Sequence, residues 1–304
     1  MARVAPIRVG VAGWDYRDWK GPFYPARSPK GFDPLAYLAR YVDLIEINST
    51  FYRPPEADWA RRWRDRARDG AGGDPFRFTV KLWQRFTHQR KEAWTRAERK
   101  QFADGIAPLH RSKMLGALLA QFPWSFRNTD ENREWLDDVQ RAFKSYPLVV
   151  EVRHESWNVP EFYAWLTEQG IGFVNVDQPL FRKSIRPSAV STSHVGYVRV
   201  HGRNYQDWFR KAAGRDQRYD YLYTPDELKP WVERAQEVAG DAGTEEVDVV
   251  FNNHYKAQAV VNALQFESLL GREVEAPQRL FDAYPRELDA AGVRPATTVI
   301  EVDA

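Results

Sequence analysis

Eight short stretches rich in β-branched and other apolar residues recur along the chain, and a helical pattern separates most of them. Several are nearly continuous apolar runs, which is typical of parallel strands covered by helices. The predicted strands are Ile7–Gly13, Leu44–Tyr52, Phe76–Leu82, Leu115–Pro123, Leu148–His154, Gly172–Asp177, Gly196–Gly202 and Asp248–His254. The alternation predicts an α/β protein, and eight units predict closure into a (β/α)8 barrel of the TIM type.

One barrel domain is expected to span residues 1–304, with the less regular segment 271–304 packing on its outside. Capping boxes at Thr95–Glu98 and Thr224–Glu227 predict two helix starts. An open doubly wound sheet is the alternative fold, but no Gly-x-Gly-x-x-Gly or Walker A sequence follows a predicted strand.

Polar residues occupy one face of several predicted strands, because side chains two positions apart share a face. The branched apolar residues between them suit the outer face, which packs against helices. The polar set is therefore predicted to face the barrel interior, toward the C-terminal ends of the strands where this fold places its active sites. Its members are Glu46, Asn48, Thr79, Lys81, Gln121, Glu151, Arg153, Asn175, Asp177, Arg199 and His201.

This inward set predicts acid/base chemistry on an anionic ligand. Lys81, Arg153 and Arg199 suit a carboxylate or phosphate. Glu46 and Glu151 suit general acid/base work. His201, which can titrate near neutral pH, or Lys81 would carry protons, and Asn252 would orient the substrate. The prediction is an enzyme acting on a small anionic substrate, phosphorylated or sugar-like, by proton transfer or hydrolysis. A purely structural ionic network is the alternative, although desolvating each ion opposes it by several kcal/mol.

Three long βα connections, Trp14–Pro34, Trp83–Trp94 and Arg203–Tyr223, are expected to cluster at the same end of the barrel. Trp14 and Tyr52 belong to stretches that interleave aromatic and cationic residues. Such stretches suit a lid over a small ligand, and they equally suit stacking and phosphate contacts with nucleic acid. A nucleic-acid binding or processing protein is thus the second hypothesis, and a non-catalytic barrel that binds a metabolite or a partner is the third.

Bulk composition narrows these classes only in part. The 304 residues include 44 Lys and Arg against 42 Asp and Glu, so the net charge of +2 argues neither for nor against nucleic acid. The absence of cysteine excludes disulfides, thiolate metal sites and cysteine nucleophiles. No apolar run has the length of a signal peptide or membrane span, so a soluble cytoplasmic protein without membrane contact is expected.

No resident cofactor is predicted, and a divalent metal is the weaker alternative. No His-Glu-x-x-His motif occurs, and the neighbouring cations would repel a metal ion. The histidines near strand ends nevertheless leave a scattered site open; they are His88, His154, His201 and His254. The sequence does not predict an oligomeric state.

A series of motifs occurs in a distinctive order between about residues 7 and 270. They are Gly10–Trp14, Trp19–Pro25, Glu46–Arg53, Phe78–Lys81 with Thr87 and His88, Glu151–His154 with Trp157, Val198–Arg203, Tyr219–Tyr223 and Phe251–Asn253. In these motifs the chain resembles the domain of unknown function 72 family, also called YecE-like. The resemblance implies a TIM-like barrel and assigns no activity. It marks as site positions Glu46, Asn48, Lys81, His88, Glu151, Arg153, Arg199, His201, Asn252 and Asn253.

Overall fold

The eight predicted strands form a closed parallel barrel in the order of the chain. The computed structural model describes residues 4–73, 75–208, 210 and 217–296. Within these ranges the barrel strands are β1 Ile7–Ala12, β2 Leu44–Ile47, β3 Arg77–Lys81, β4 Leu115–Gln121, β5 Leu148–Glu151, β6 Gly172–Asp177, β7 Val195–Val200 and β8 Glu246–Phe251. Pairing of β1 with β8, from Ile7 with Val247 to Val11 with Phe251, closes the cylinder. The predicted TIM-type barrel is confirmed.

Helices cover the outside of the barrel. In the described part of the chain they are α1 Pro34–Leu38, α2 Ala57–Gly70, α3 Gln84–Thr87, α4 Arg96–Arg111, α5 Asp130–Phe143, α6 Pro160–Glu168, α7 Pro225–Gly240, α8 Gln258–Leu269, α9 Gln278–Ala283 and α10 Pro285–Ala290. Both predicted capping boxes are present, at Thr95 before α4 and at Thr224 before α7. Each box pairs the first orphan N–H groups of its helix with side-chain oxygens.

The apolar core divides into two shells. The outer shell lies between strands and helices and includes Ile45, Phe78, Val150 and Val198. The inner shell fills the barrel with small and branched side chains. Its members are Ala12, Leu44, Ala117, Leu119, Val149, Val174, Val176, Val195, Tyr197 and Val250. On β2, β3, β5 and β7 the polar residues therefore alternate toward the interior, as predicted.

Strand β6 has the opposite phase, so the predicted inward placement of Asn175 and Asp177 is wrong. Val174 and Val176 face the interior. No α-helix lies between β6 and β7 in the described residues, and the extended connection 178–194 covers the outer face of β6 instead. Its backbone needs hydrogen-bond partners. Asn175 supplies them, accepting from the Val190 backbone N–H at 2.9 Å and donating to the Val190 carbonyl at 2.9 Å.

Strand β2 is shorter than predicted, because it ends at Ile47 and a 3₁₀ helix, Ser49–Phe51, follows. The Thr50 hydroxyl joins this turn to the neighbouring strand by donating to the Lys81 carbonyl at 2.7 Å. The turn carries Phe51 sideways over the end of β3, where its ring contacts the Lys81 side chain.

The segment after α8 packs on the outside of the barrel as far as residue 296. Leu280, Leu288 and Val293 are buried in the outer shell, and the Gln265 amide of α8 donates to the Glu287 carbonyl at 2.8 Å. Two short strands, β9 Glu275–Ala276 and β10 Arg294–Pro295, pair within the segment. The prediction for residues 297–304 lies outside the described residues. Nowhere in the described chain does a helix combine the length and apolarity that crossing a membrane requires.

Candidate active site

A cavity of ≈ 320 Å³ opens at the C-terminal ends of the barrel strands. Polar side chains from β-strand ends form its base, and aromatic side chains from the following loops form its walls. The residues that line it are Gly13, Trp14, Asp15, Tyr16, Asn48, Ser49, Phe51, Tyr52, Lys81, Gln121, Arg153, Arg199, Tyr219, Asn252 and His254. Seven of the predicted site residues are therefore brought together here, namely Trp14, Asn48, Tyr52, Lys81, Arg153, Arg199 and Asn252.

Arg199 connects the two predicted catalytic carboxylates below the cavity. Its Nε and Nη2 donate to Glu46 Oε2 and Oε1 at 2.9 and 2.5 Å, and its Nη1 donates to Glu151 Oε2 at 3.1 Å. Both carboxylates are fully buried, and Arg199 is 2% exposed. All three guanidinium nitrogens thus contact carboxylates, so charge balance and orientation are the main consequences of this pairing.

Arg153 is the second cation of the same network. Its Nε donates to Glu151 Oε1 at 2.5 Å, and its Nη1 donates to Gln178 Oε1 at 3.0 Å. Burial opposes ionisation of Glu151, but the guanidinium groups of Arg153 and Arg199 outweigh it and hold the pKa of that carboxyl well below its usual value. Glu151 is therefore an ionised partner of two arginines at neutral pH.

His201 lies between the two guanidinium groups and Asn252. Its Nε2 is 3.0 Å from Arg153 Nη2 and 3.1 Å from Arg199 Nη1, and its Nδ1 is 3.0 Å from Asn252 Nδ2. Burial, followed by the charges of Arg153 and Arg199, lowers the pKa of His201 well below its usual value. The expectation that this imidazole titrates near neutral pH is wrong, because a third positive charge is disfavoured there.

Lys81 is the titratable group that reaches the cavity from the end of β3. Its Nζ lies 4.2 Å from the centre of the Phe51 ring, and among the described residues it has no ion pair or side-chain hydrogen bond with a carboxylate. Burial and, next, the charge of Arg199 lower the pKa of Lys81 to about 7. This amine therefore changes charge near neutral pH, as was predicted for His201.

Aromatic side chains from the first βα loop and the β8 end make one wall of the cavity. The Tyr16 and His254 rings stack with centres 4.3 Å apart, and Tyr16 donates to the Ala12 carbonyl at 2.7 Å. Trp19, from the same loop, is fully buried and donates to the His254 carbonyl at 2.6 Å. Trp19 is thus a structural anchor, and the exposed parts of Tyr16 and Trp14 contact the ligand space.

Six predicted site residues do not line the cavity: Glu46, Glu151 and His201 are buried in the ionic network, and His88, Asp177 and Asn253 make other contacts. His88 makes a T-shaped contact with Phe51, with ring centres 4.8 Å apart. Asp177 faces outward and accepts from Arg203 Nε at 2.9 Å. Asn253 is also directed outward, where its amide donates to the Tyr221 carbonyl at 2.8 Å. Asp177 and Asn253 are at positions whose side chains point to the outside of β6 and β8. Each binds the loop that follows β7, through Arg203 and Tyr221 respectively.

Sequence reasoning missed Tyr197, which lies on the inner face of β7 two positions before Arg199. Its hydroxyl donates to Glu46 Oε2 at 3.0 Å and lies 3.0 Å from Thr79 Oγ1. The strand alternation that predicts an inward Arg199 also predicts an inward Tyr197, two positions earlier, so the sequence pattern was sufficient to identify this residue. Phe51 and Tyr219 reach the cavity from a 3₁₀ turn and a long loop. The alternation of side chains along a strand does not predict where residues outside strands point.

Metal ligands do not converge in this region. Across residues 4–73, 75–208, 210 and 217–296, no three side chains of His, Asp or Glu form a group that could hold a metal ion. Of the histidines considered for such a site, His154 contacts Ser156 Oγ at 2.9 Å and His254 stacks on Tyr16.

Comparisons with known proteins agree with this architecture. The sequence model described as "Protein of unknown function DUF72" matches residues 8–287. The UPF0759 protein YunF of Bacillus subtilis is 28% identical over 293 residues, which cover 90% of this chain and 99% of that protein. The UPF0759 protein YecE of Escherichia coli K12 is 24% identical over 207 residues, or 67% of this chain and 66% of that protein.

Two solved structures have the same fold. A DUF72 family protein from Thermotoga maritima is 35% identical with a TM-score of 0.75, covering 88% of this chain and 100% of that one. A DUF72 family protein from Enterococcus faecalis is 27% identical with a TM-score of 0.74, covering 88% and 96%. The family match over residues 8–287 and these structural likenesses lead to one conclusion: this chain belongs to the DUF72 family.

Proposed function

We propose that this protein is an enzyme that acts on a small anionic substrate, phosphorylated or sugar-like, through acid/base chemistry in the cavity at the C-terminal end of the barrel. The observation that carries this proposal is the amine of Lys81, which has no carboxylate partner among the described residues and shares the cavity with Arg153. The buried carboxylates below are already occupied by arginine. A ligand anion is therefore the partner that best completes the charges of the cavity.

Arg153 retains donors for such an anion. A guanidinium has about five N–H groups, and those of Arg153 that are engaged point to Glu151, Gln178 and His201. Its remaining N–H groups lie next to the cavity that it lines. Lys81 adds up to three more donors while it is protonated.

Glu46 and Glu151 are best understood as positioning residues in this proposal. They are 0% exposed and do not line the cavity, so their influence on a substrate passes through Arg199 and Arg153. Lys81 reaches the cavity directly and has a pKa of about 7, which suits a general acid or base at neutral pH. The cavity, and an amine that has no ion pair with the described residues, also favour an enzyme over a non-catalytic barrel, in which the ionic network would be expected to fill the mouth.

Isothermal titration with inorganic phosphate and sugar phosphates tests the proposal. We expect Lys81→Met and Arg153→Met to weaken binding about tenfold or more, because each removes a charged contact of roughly 1.5–3 kcal/mol. Lys144→Met removes the same charge from the exposed end of α5, at the opposite end of the barrel, and serves as the matched control. Equal affinities in all four proteins, or no binding by the wild type, would reject the proposal.

A groove beside the cavity favours nucleic acid as the second candidate. It has a volume of ≈ 310 Å³ and shares Ser49 with the cavity. Arg53 lies 4.6 Å above the Trp59 ring, and Arg62 lies on the same groove. Cationic and aromatic side chains in one groove suit phosphates and stacked bases.

Fluorescence anisotropy with single-stranded DNA and RNA tests this second candidate. Binding should weaken steeply with salt and should weaken further in an Arg53→Ala, Arg62→Ala double variant. An Arg61→Ala, Arg64→Ala double variant removes the same charge from α2 at positions that do not line the groove and is the control. Absence of binding at low salt rejects nucleic acid as the ligand.

A further inference from the structure

We infer that Lys81 is the nucleophile of this site and forms a Schiff base with the carbonyl carbon of an anionic aldehyde or ketone. The anionic part of this substrate class rests on the proposed function, whereas the covalent step rests on the surroundings of the amine. Lysine nucleophiles are made reactive by desolvation and by neighbouring cations, and both conditions are met at the end of β3.

The two buried carboxylates near Lys81 are occupied by other partners. Glu46 accepts from Arg199 and Tyr197, and Glu151 accepts from Arg199 and Arg153. A lysine with a catalytic role as an amine needs this separation, because a direct carboxylate partner would keep it protonated. The described residues instead give Lys81 Nζ an aromatic neighbour, the Phe51 ring at 4.2 Å.

The position of the cations favours the neutral amine. Arg199 and Arg153 line the same cavity as Lys81, and burial together with the charge of Arg199 brings the Lys81 pKa to about 7. About half of such amines are neutral at pH 7, compared with roughly one in 2,500 for a lysine of pKa 10.4. The neutral amine is the form that adds to a carbonyl group.

Asn48 supplies an acceptor next to this amine. Ile47 of β2 pairs in register with Val80 of β3. Asn48 and Lys81 are the next residues of these two neighbouring segments, so they lie side by side. Both line the cavity. Asn48 Oδ1 is buried and has no hydrogen-bond partner among the described residues. A buried acceptor without a donor is unfavourable, and the hydroxyl of an addition product or the N–H of an iminium would satisfy it.

The covalent step balances without an oxidant or a reductant. The Nζ lone pair adds to the carbonyl carbon, and the electron pair of the C=O π bond moves to oxygen. A proton passes from nitrogen to that oxygen and gives a carbinolamine. A second proton, from solvent, lets the hydroxyl leave as water with the C–O bonding pair, while the nitrogen lone pair forms the C=N bond. One amine, one carbonyl compound and one proton thus yield one iminium ion and one water.

Reductive trapping tests this step. Wild type, Lys81→Arg and the control Lys144→Arg are incubated at pH 7 with glyceraldehyde 3-phosphate, dihydroxyacetone phosphate or neutral glyceraldehyde in the presence of sodium cyanoborohydride. Intact mass and peptide mapping then locate the adducts. We expect one early adduct on Lys81 in the wild type and in Lys144→Arg, formed about 1,000-fold faster than on a surface lysine at equal intrinsic reactivity. Lys81→Arg should lack it and retain its fold by circular dichroism.

A second variant tests the acceptor. Asn48→Ala should slow adduct formation on Lys81 about tenfold, because the hydroxyl or N–H of the reacting group loses its hydrogen-bond partner. Peptide mapping of the wild type alone decides the issue if Lys81→Arg fails to fold. Labelling of surface lysines at the same rate as Lys81 overturns the inference.

The outcomes also distinguish this inference from the proposed function. Binding of sulfate and phosphorylated carbonyl compounds without an adduct would reject the Schiff base and leave the anion site intact. Equal labelling of Lys81 by neutral glyceraldehyde and by the phosphorylated compounds would support the Schiff base and reject the anionic substrate class.

Discussion

The guanidinium of Arg199 on β7 binds the carboxylate of Glu46 on β2 across the barrel interior through two hydrogen bonds, of 2.9 and 2.5 Å. A paired contact of this kind fixes both side chains in one orientation. Its burial also makes both residues intolerant of losing the partner, since an uncompensated buried charge is strongly unfavourable.

Arg199→Met should therefore reduce the free energy of unfolding by about 3–5 kcal/mol, because it leaves two buried carboxylates with fewer cations. Urea denaturation measures this loss. Arg141 also contacts two carboxylates, those of Asp137 and Asp138, but on the exposed surface of α5. Arg141→Met is the matched control and should lose at most about 1 kcal/mol. A similar small loss in both variants would contradict a stabilising role for the buried network.

Sulfate affinity should fall as the pH rises from 6 to 9, because Lys81 loses its charge in this range. Sulfate keeps its own charge there, so the change reports on the protein. A bound anion favours the protonated amine, so the midpoint should lie at or above pH 7. We expect about a tenfold loss, which corresponds to roughly 1.4 kcal/mol. Lys81→Met should bind sulfate weakly with no midpoint between pH 6 and 9, and a wild-type affinity independent of pH would contradict the assignment.

Asp248 provides a test of buried charge at the other end of the interior. Its carboxylate is fully buried without a hydrogen-bond partner among the described residues, and Arg8 Nη1 is 3.8 Å away. Burial, followed by the charge of Glu246, raises the pKa of Asp248 to about 7, against the opposing charges of Arg8 and Arg77. The folded protein thus binds a proton more tightly than the unfolded chain does. Stability from this group is complete below pH 4 and is lost as the pH rises to about 7.

Asp248→Asn removes this dependence. The stability of the variant relative to the wild type should rise by up to about 4 kcal/mol between pH 4 and pH 8, as three pKa units imply. Chemical denaturation at several pH values measures the difference. Asp226→Asn, at an exposed position of α7 next to Lys229, is the control and should show no such rise. A constant difference between Asp248→Asn and wild type would show that Asp248 ionises normally.

His201 and His88 should remain neutral down to low pH. Burial and the charges of Arg153 and Arg199 lower the pKa of His201, and burial with the charge of Lys81 lowers that of His88 to about 4. Ring proton shifts in NMR spectra, assigned with His201→Asn and His88→Asn, should not titrate between pH 8 and 5. A midpoint between 6 and 7 for His201 would restore it as the proton carrier.

The inward positions of Glu46, Lys81 and Arg199 were predictable, because each lies on a strand whose opposite face packs against helices. The same rule failed at Asp177, where an extended loop covers β6 and uses polar partners. Strand alternation depends only on local spacing, whereas the cover of a strand depends on the whole fold. The alternation therefore identifies which residues share the polar face of a strand, but it does not determine whether that face points to the barrel interior or to the outside.

The ionisation states were less accessible from sequence than the positions. Burial, together with the charges of Arg153 and Arg199, lowers the pKa of His201 and keeps it neutral. Burial, together with the charge of Arg199 on β7, lowers the pKa of Lys81. Residue types at separate strand ends do not reveal which carboxylate pairs with which arginine. That pairing occupies Glu46 and Glu151 with arginine and so leaves neither as a partner for Lys81, and it is visible only in three dimensions.

The contact between Glu46 and Arg199 also bears on the order of folding. The two residues are 153 positions apart in the chain, and contacts between distant segments form only after a large loss of chain entropy. The ionic network joins both halves of the barrel, so it can form only when β2 and β7 face each other in a closed cylinder. Closure of the barrel and assembly of the site are consequently one event, and an N-terminal fragment that lacks β7 would expose Glu46 without its partner.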